Sequence, residues 1–354
     1  MKVCVFHTAF LGDLVMIGLM IDALFKAGHE IVLVTNAGGA KIYEHDERLS
    51  ERIVVQKKSG LKKWGAVKLI VKKLLPYQFD VFVTPHRSFT TGIIAFTSRI
   101  PRRVSFENCA FPWAFTEVFS FAKNWHESLR CLDLLPQWLI SDEIRKECEE
   151  KARPVLQAPA QMLEFSKANP EFLNSKAPFF VVSPGSVWET KIYPPELLAQ
   201  VVSSLLAANA TLRCVVSGGP ADLKVIEKFL NALGDVRERV VDASRCLPLS
   251  ELAGLTARAH FVLSNDSAPL HVASGLNVPV VGIFGPTSAK TGFGPAGERT
   301  SVVAFLDKKG LPLPCQPCSP HGHHVCPLGH HCCMRELKPQ VIFEAVRKLV
   351  PELF

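Results

Sequence analysis

A carboxylate, Asp13, follows a glycine in the short segment between the first apolar run of the chain and the next. A positioned carboxylate can act as a general base that takes the proton of an attacking hydroxyl group. Aspartate is equally favoured at the N-cap of a helix, where its oxygens accept backbone N–H groups. The Gly12-Asp13 pair is compatible with either role.

A second polar segment, residues 264–271, places Asp266 and Ser267 where a proline-containing helix is expected to begin. These side chains can cap the helix, but a helix N-terminus can also bind a pyrophosphate through its free N–H groups. His271 lies four residues after Ser267 and therefore on the same helical face. The segment predicts either an anion-binding site or a capped helix with a buried histidine.

Further polar residues occupy two other loops of the same half of the chain. Lys191 ends the segment that begins at Ser183 and stands just before a proline-initiated helix. Such a lysine could contact a phosphate, although a lysine on a surface loop is usually only solvated. Ser186 lies in the same segment, and Asp222 follows the glycine-rich loop 218–220.

Cysteine and histidine alternate in one late segment, which is the most metal-like part of the chain. Its members are Cys315, Cys318, Cys326, Cys332 and Cys333, with His321, His323, His324, His330 and His331. Their spacing fits no standard zinc finger, so we predict no bound metal and keep a structural zinc or iron as the alternative. The other six of the 11 cysteines stand singly and are expected to be reduced core thiols.

Two common nucleotide-binding motifs are missing from the sequence. No Gly-x-Gly-x-x-Gly follows the first predicted strand, which disfavours a dinucleotide-dependent dehydrogenase. Lys290-Thr291 is not part of a Walker A motif, because Phe284 stands where that motif requires its first glycine.

The composition is that of a packed globular protein, with 354 residues, 48% hydrophobic and 21% charged, enough for two domains. No apolar run reaches the ~18–20 residues of a membrane-spanning helix. Met1–Phe10 is typical of a strand rather than of a cleavable signal, so we expect a cytoplasmic protein. Nucleic-acid binding is disfavoured because no recognition motif accompanies the basic residues.

The net charge of +7 is concentrated in residues 1–130, which hold 18 Lys and Arg against 11 Asp and Glu. Eight basic residues and no acidic one lie between Arg52 and Lys73. Within residues 61–75 the apolar side chains share one side of a helix, as in a helix docked on its sheet. A helix that adsorbs to an anionic membrane surface has the same pattern.

Short apolar runs alternate with amphipathic stretches, which indicates an α/β protein built on parallel sheets. The predicted strands are Lys2–Phe6, Ile31–Thr35, Gln78–Thr84, Val104–Phe106, Phe179–Val182, Leu212–Ser217, one near Val240, Phe261–Leu263 and Val278–Phe284. Pro170 and Pro178 bracket a predicted linker between two such domains. The polar loops described above follow strands, and ligands of parallel sheets collect at the carboxyl ends of strands.

These segments, in this order, resemble the ADP-heptose:lipopolysaccharide heptosyltransferases, glycosyltransferase family 9, over nearly the whole chain. The motifs that carry the resemblance are Leu11-Gly12-Asp13, Pro85-His86-Arg87-Ser88, Ile100-Pro101-Arg102-Arg103, His126-Glu127 with Arg130, Ser183-Pro184-Gly185-Ser186 with Lys191, Asn265-Asp266-Ser267-Ala268-Pro269-Leu270-His271, Pro279 to Thr287, and Cys315-Gln316-Pro317-Cys318 with Cys333-Met334. The Asp266 segment and Phe284-Gly285-Pro286-Thr287 are the most specific of them.

The resemblance implies the GT-B architecture, in which two doubly wound Rossmann-like domains face each other across a cleft. It implies an acceptor domain over residues 1–168, a nucleotide-sugar domain over 178–335, and a last helix within 336–354 that packs back on the first domain. It also implies inverting, metal-independent transfer of heptose from ADP-L-glycero-D-manno-heptose to Kdo or heptose of the lipopolysaccharide inner core, without a cofactor.

The same resemblance implies roles for individual residues. Asp13 matches the catalytic base and Lys191 the phosphate-contacting lysine. The donor-binding matches are Asp266, Ser267, Ala268 and His271, with Ser186 and Asp222 as weaker ones. Gly12, Arg87, Arg102 and Arg103 are assigned to the acceptor, whose carboxylates or phosphates the arginines could bind.

Two departures keep alternatives open. Ala268 stands where the family usually has glycine, and Ile192-Tyr193 where it usually has Arg-Trp, so another nucleotide sugar or acceptor is one alternative. A nucleotide-sugar epimerase or hydrolase is a second, and a carbohydrate-binding or scaffolding relative without turnover is a third.

The expected location is the cytoplasm, at the inner face of the inner membrane. The expected partners are the donor, a lipid-anchored Kdo-lipid A or heptosylated core acceptor, and the anionic membrane surface.

Overall fold

Two parallel six-stranded sheets, one in each half of the chain, form the framework of the protein. The computed structural model describes residues 1–56, 63–175 and 177–354. The chain divides into a first unit, Met1–Gln157, and a second unit, Ala158–Phe354. The prediction of an α/β chain with two parallel sheets is confirmed.

The first unit contains six strands and seven α-helices among the described residues. The strands are β1 (Lys2–Phe6), β2 (Glu30–Thr35), β3 (Glu51–Val54), β4 (Val81–Val83), β5 (Arg102–Phe106) and β6 (Glu117–Phe119). The helices are α1 (Leu11–Met16), α2 (Gly18–Lys26), α3 (Ala37–Ile42), α4 (Lys63–Leu74), α5 (Phe89–Ser98), α6 (Glu127–Asp133) and α7 (Asp142–Lys151). The strand order is β3-β2-β1-β4-β5-β6.

The second unit repeats this design. Its strands are β7 (Phe179–Ser183), β8 (Arg213–Val216), β9 (Val240–Asp242), β10 (Val262–Asn265), β11 (Val280–Phe284) and β12 (Thr300–Ala304). Its helices are α8 (Leu163–Ala168), α9 (Pro170–Asn174), α10 (Pro195–Ala208), α11 (Leu223–Asn231), α12 (Leu249–Arg258), α13 (Ala268–Gly275), α14 (Cys332–Arg335) and α15 (Pro339–Leu349). The strand order is β12-β11-β10-β7-β8-β9.

Each sheet reverses its direction of growth once. After β1 the chain adds β2 and β3 on one side and then β4 to β6 on the other, and β7 and β10 meet in the same way. Loops that leave neighbouring strands at such a point run to opposite faces of the sheet and open a crevice at its carboxyl edge. The fold therefore predicts a ligand site after β1 and β4 and another after β7 and β10.

The central strands are buried on both faces. Residues 3–6 of β1, 31–34 of β2 and 180–182 of β7 have no exposed surface. Unbroken runs of Val, Ile, Leu and Phe are what a parallel sheet covered on both sides requires. In the second unit the rings of Phe180 and Phe261 stack with their centroids 4.6 Å apart.

The boundary between the units lies earlier than the predicted linker. The predicted first domain ends at residue 168, but Met162 and Phe165 pack in the core of the second unit with Val181. The Glu251 carboxylate accepts the backbone N–H groups of Glu164 and Phe165 at 2.8 and 2.9 Å and so ties the start of α8 to α12. These contacts hold residues 162–165, which we predicted to belong to the first domain, to the second unit, ahead of the predicted linker between Pro170 and Pro178.

The last helix, α15, packs on α10, β11 and β12. Its apolar residues Ile342 and Val346 are buried in the core of the second unit. The Tyr193 hydroxyl donates to the Leu337 carbonyl at 2.6 Å just before the helix. We expected this helix to pack on the first domain, whereas its apolar stripe covers the second sheet.

The remaining differences from the predicted elements are local. The predicted helix Leu14–Ala27 begins earlier and is two helices, α1 and α2. The predicted strand Gln78–Thr84 is shortened to β4, because a 3-10 turn ends at Tyr77 and Gln78 adopts a left-handed conformation with φ of 52°. Strands β3, β6 and β12 were not predicted, and all three lie at sheet edges, where the apolar pattern is weakest.

The predicted basic helix over residues 61–75 is described from Lys63 onward, and residues 61 and 62 lie outside the described residues. Val67, Ile70 and Leu74 are buried against the first sheet, so this part is a helix docked on its sheet. Lys68 and Lys72 are exposed on its other side. Within the described parts of the chain, no helix is long and apolar enough to span a bilayer.

Candidate functional site

At the crevice of the second sheet, the Asn265 side chain joins the ends of β7 and β10. Its Nδ2 donates to the Pro184 carbonyl at 2.7 Å, and its Oδ1 accepts the Tyr193 backbone N–H at 3.1 Å. Because β7 and β10 are neighbours and end side by side, the buried amide of Asn265 can hold the loop after β7 to the end of β10. This bracing positions the turn Glu189–Lys191 over the carboxyl edge of the sheet.

Lys191 and Asp266 form an ion pair at this edge. The Lys191 Nζ lies 2.7 Å from Asp266 Oδ2, and the side chains are only 12% and 8% exposed. The Thr287 hydroxyl donates to the same oxygen at 2.6 Å. Three loops, after β7, β10 and β11, therefore converge on one carboxylate that holds a cation in place.

The start of α13 lies directly beside this ion pair. Ser267 is the N-cap residue in an extended conformation, with φ of −153° and ψ of 173°, and its side chain makes no capping hydrogen bond. Asp266 precedes the cap and is engaged with Lys191. The interpretation of these two side chains as simple helix caps is therefore wrong. His271 lies buried one turn into the helix, and Ala268 is its first residue.

Asp222 closes the loop after β8. Its Oδ2 accepts the Gly219 backbone N–H at 2.8 Å. A Cβ atom on Gly185 would lie 2.0 Å from Asp222 Oδ1, so the glycine allows the two loops to touch. Ser186 accepts the Trp188 backbone N–H at 3.4 Å, which shapes the same loop. Both residues lie at the predicted edge, where the structure gives them loop-shaping contacts.

The first sheet presents a different set of groups at its crevice. Asp13 is the third residue of α1, which has Phe10 as its N-cap, so Asp13 is not the N-cap residue. It is partly buried and follows Gly12 in the first turn of the helix. Asp13 therefore lies at the carboxyl edge of β1, and its role as a base stays a prediction.

Two histidines to which we assigned no role line the same crevice. The rings of His7, after β1, and His86, after β4, meet edge to face with centroids 5.7 Å apart. His86 Nδ1 is 2.9 Å from the Thr91 hydroxyl. The Thr8 hydroxyl is buried and has no hydrogen-bond partner among the described residues. A polar residue directly after a buried strand is the sequence signal that could have identified His7 and Thr8.

The three predicted acceptor-binding arginines do not lie together. Arg87 belongs to the loop after β4, at the crevice, and its guanidinium stacks on the Phe121 ring at 4.4 Å. Arg102 and Arg103 begin β5 and so lie at the amino edge of the sheet. Arg103 donates to the carbonyls of Ile100 and Ala114, and Arg102 stacks on Trp138 at 4.1 Å. We predicted that Arg102 and Arg103 bind the acceptor beside Asp13. The structure contradicts this prediction, because both arginines lie at the opposite edge of the sheet.

The cysteine-rich segment packs against the turn that carries Lys191. Thr190 accepts and donates hydrogen bonds at 2.8 Å with His323, and the His331 ring lies 2.7 Å from the Thr190 carbonyl. A cavity of about 30 Å³ is lined by four thiols of the segment, those of Cys315, Cys318, Cys326 and Cys333. The segment therefore supports the lysine turn from behind.

The thiols of this segment differ in their acidity. Burial, and to a smaller extent the neighbouring thiols, raise the pKa of Cys333 to about 12. Slight burial acts to raise the pKa of Cys326, but backbone N–H groups of residues 328–331 lower it below its usual value. Across the described residues, no three His, Cys, Asp or Glu side chains are arranged to hold a metal ion. The expectation that the protein binds no metal stays a prediction.

Curated relatives match this chain in part. Lipooligosaccharide heptosyltransferase 2 of Campylobacter jejuni is 26% identical over 182 residues, which cover 51% of this chain and 54% of the relative. The chain thus spans about half the length of that relative. Lipooligosaccharide heptosyltransferase 2 of Haemophilus influenzae is 22% identical over 289 residues, 78% of each chain.

Solved structures show the fold. The structure of the E. coli ADP-heptose LPS heptosyltransferase II is similar over 99% of both chains, with a TM-score of 0.77 at 19% identity. This likeness and the two doubly wound sheets confirm the GT-B fold class with two Rossmann-like domains. The sequence profile of glycosyltransferase family 9 (heptosyltransferase) matches residues 67–319, more than half of the chain, and the chain accordingly belongs to glycosyltransferase family 9.

Proposed function

We propose that this protein transfers heptose from ADP-L-glycero-D-manno-heptose to Kdo or heptose of the lipopolysaccharide inner core, with inversion at the anomeric carbon. Family membership and the names of the three relatives described above, which are heptosyltransferases, support the reaction class. The donor, the acceptor and the stereochemistry are what the family resemblance implies, and we propose them on that ground.

One observation carries the proposal: the Lys191–Asp266 ion pair at the crevice of the second sheet, beside the start of α13. A nucleoside diphosphate gains negative charge as it leaves the sugar. Groups that stabilise this charge more in the transition state than in the ground state accelerate the reaction. Lys191 supplies the cation, and Asp266 and Thr287 hold it in position before the donor arrives.

At the other sheet, Asp13 is the proposed general base. The acceptor hydroxyl oxygen forms a bond to the anomeric carbon, its proton passes to the Asp13 carboxylate, and the bond from that carbon to the ADP oxygen breaks. Such a base typically contributes ~10²–10⁴-fold to the rate. Gly12 and Arg87 belong to the same edge and are the proposed acceptor contacts, whereas Arg102 and Arg103 are not included.

The proposed donor contacts are Lys191, Asp266, Ser267, Ala268 and His271, with Ser186 and Asp222 shaping the loops around them. The proposed reaction uses no metal ion and no cofactor, because Lys191 and the N–H groups at the start of α13 meet the charge of the diphosphate. We further propose that the enzyme works in the cytoplasm, at the inner face of the inner membrane, where a lipid-anchored acceptor lies.

The experiment is ADP release from ADP-heptose, measured with Kdo-lipid A, with its once-heptosylated form, and without acceptor. We expect release that requires an acceptor and falls ~10²–10⁴-fold in Asp13→Asn. Asp142→Asn is the matched control, since Asp142 also lies in the first turn of a helix of the first unit, α7. A chelator should leave the rate unchanged.

Three results would contradict parts of the proposal. No release with either acceptor would exclude this donor and acceptor pair and favour another nucleotide sugar. Release that is independent of acceptor would favour the hydrolase or epimerase alternative. Full activity of Asp13→Asn would remove the assigned base.

A further inference from the structure

Helices α4 and α5 pack side by side on one face of the first sheet, and their outer surface is unusually apolar. Val67 and Ile70 of α4 and Ile94 and Ala95 of α5 share one core cluster with the strands, so both helices turn their other sides outward. On that outer side Trp64 is 65% exposed and Phe96 is 56% exposed.

The loop after β5 extends this exposed apolar area. The Phe111 ring lies 5.4 Å from Phe89 and 6.3 Å from Phe96, measured between centroids, and so joins both ends of α5. Trp113 follows in the turn Pro112–Ala114, which packs on α5, and is 87% exposed. No other large apolar residue of the described chain exposes a greater fraction of its surface.

Positive charge accompanies these rings. Lys68 and Lys72 follow Trp64 at intervals of four along α4 and are exposed on the same helical face. Neither α4 nor α5 contains an acidic residue. Trp and Phe beside Lys is the residue combination that enters the headgroup region of an anionic bilayer, where the rings reach the acyl boundary and the lysines meet phosphates.

We propose that the aromatic-basic surface, formed by Trp64, Lys68, Lys72, Phe89, Phe96 and Trp113, docks this protein on a bilayer that contains anionic phospholipids. Exposed aromatic side chains on two helices that pack together mark an interaction site, and the lysines select an anionic partner. A bilayer provides both an apolar phase for the rings and a dense layer of phosphates for the lysines.

The aromatic-basic surface lies where docking would help the transfer reaction. This part of the inference rests on the proposed function. Phe89 is two residues from Arg87, so the aromatic-basic surface begins at the crevice edge of the first sheet, where we place the acceptor. An acceptor anchored in lipid would then be presented beside that edge. Docking itself can be measured without donor or acceptor, so it can fail or hold independently of the transfer reaction.

The experiment is flotation of the full chain with vesicles of phosphatidylethanolamine and phosphatidylglycerol, and with vesicles of phosphatidylcholine alone. We expect binding to the anionic vesicles that weakens as salt increases. The double variant Lys68→Gln/Lys72→Gln should lower the partition coefficient about 25-fold, about fivefold for each lysine. Lys224→Gln/Lys228→Gln is the matched control, because these lysines are also exposed four residues apart on one helix, α11.

A second pair of variants tests the contribution of the exposed aromatic side chains to vesicle binding. Phe96→Ser should lower the partition coefficient at least about tenfold. Phe25→Ser should leave it unchanged, because Phe25 is similarly exposed, at 50%, but lies on α2, which packs with α6 and α7. Brominated lipids should quench Trp fluorescence in the wild type and quench it less in Trp113→Phe. All these side chains are exposed, so the variants should melt like the wild type.

Some outcomes would overturn the proposal. Wild-type protein that does not float with anionic vesicles at low salt would exclude it. So would binding that the lysine pair and Phe96→Ser leave unchanged, or a self-association that Phe96→Ser abolishes, which would show that a second copy covers the surface. Vesicle binding without heptosyl transfer, even to a delipidated acceptor, would instead count against the proposed function and leave the docking surface in place.

Discussion

The two units share one strand order but present different chemistry at their crevices. In the second unit, three loops converge on the Asp266 carboxylate, and Lys191 is held there by an ion pair. In the first unit, the crevice is lined by Asp13, by the His7 and His86 rings and by the Thr8 hydroxyl. The shared sheet supplies the position of a site, and the loops decide what it can bind.

The units also differ in how their surroundings are braced. Arg48, in the first unit, is 4% exposed and binds both oxygens of Asp46 as well as Asp22. It also donates to the Val155 carbonyl at 3.0 Å and so ties the end of that unit to its start. In the second unit the corresponding support comes from the apolar core and from the cysteine-rich segment behind Lys191.

The largest predicted loss of stability should come from removing Arg48 from its ion pairs with Asp46 and Asp22. Arg48→Met leaves the Asp46 carboxylate buried without its cation, which should cost about 3–5 kcal/mol of unfolding free energy. Arg239→Met is the control in the second unit, because among the described residues Arg239 donates only to backbone carbonyls, so its removal leaves none of their carboxylates without a cation. Chemical denaturation of both variants measures the difference, and equal losses would contradict the contrast.

The ion pairs of Asp22 with Arg48, Lys26 and Lys151 predict that the stability of the protein depends on pH. Burial acts to raise the pKa of Asp22, but Lys151, Arg48 and Lys26 lower it below its ordinary value of 3.8. Because the pKa of Asp22 is lower in the folded protein than in the unfolded chain, its ionised form adds to the free energy of unfolding above pH 3.8. This contribution is lost as the pH falls through the pKa of Asp22 in the folded protein. Asp22→Asn should therefore be less stable than the wild type above pH 5, and the two should converge in acid.

A third prediction distinguishes the functions of the two crevices. Lys191→Met should lower kcat/KM ~10²–10³-fold, because the cation that stabilises the leaving diphosphate is lost. It should also weaken ADP binding, whereas Asp13→Asn should not. Lys290→Met is the control, since Lys290 lies in a similar three-residue 3-10 turn and is exposed. Normal ADP affinity in Lys191→Met, measured by calorimetry, would contradict the assigned role.

The smallest effect concerns the thiols. Cys4, Cys109, Cys131 and Cys148 of the first unit are all buried, so reactive thiols should be confined to the second. At pH 8, iodoacetamide should modify Cys326 before Cys333, since backbone N–H groups lower the pKa of Cys326 and burial raises that of Cys333 to about 12. Peptide mass spectrometry gives the order, and in urea the difference should disappear.

Local patterns were sufficient for the interior of both sheets. β1, β7 and β11 were predicted because parallel strands covered on both faces need unbroken apolar runs. The short edge strands β3 and β6 were missed, since they carry charged residues such as Glu51 and Glu117 and look like loops. The linker was misplaced because Phe165 and Phe172 pack on the second sheet, which no local pattern reveals.

The candidate site was also predicted only in part from the sequence. The sequence placed Asp13, Lys191 and Asp266 in loops after strands, because those loops follow apolar runs and contain polar residues in a family pattern. It could not show that Lys191 and Asp266 pair at 2.7 Å, or that Thr287 joins them, because those residues come from three separate loops.

What the sequence by itself determined is therefore the order of strands and helices and the polar residues between them, since these depend on neighbours along the chain. Only the tertiary structure decided which loops meet. The reversal of each sheet brings β1 beside β4 and β7 beside β10, and places Arg102 and Arg103 at the opposite edge from Asp13. Strand pairing over long separations in sequence settles these contacts, and it is a property of the packed sheets.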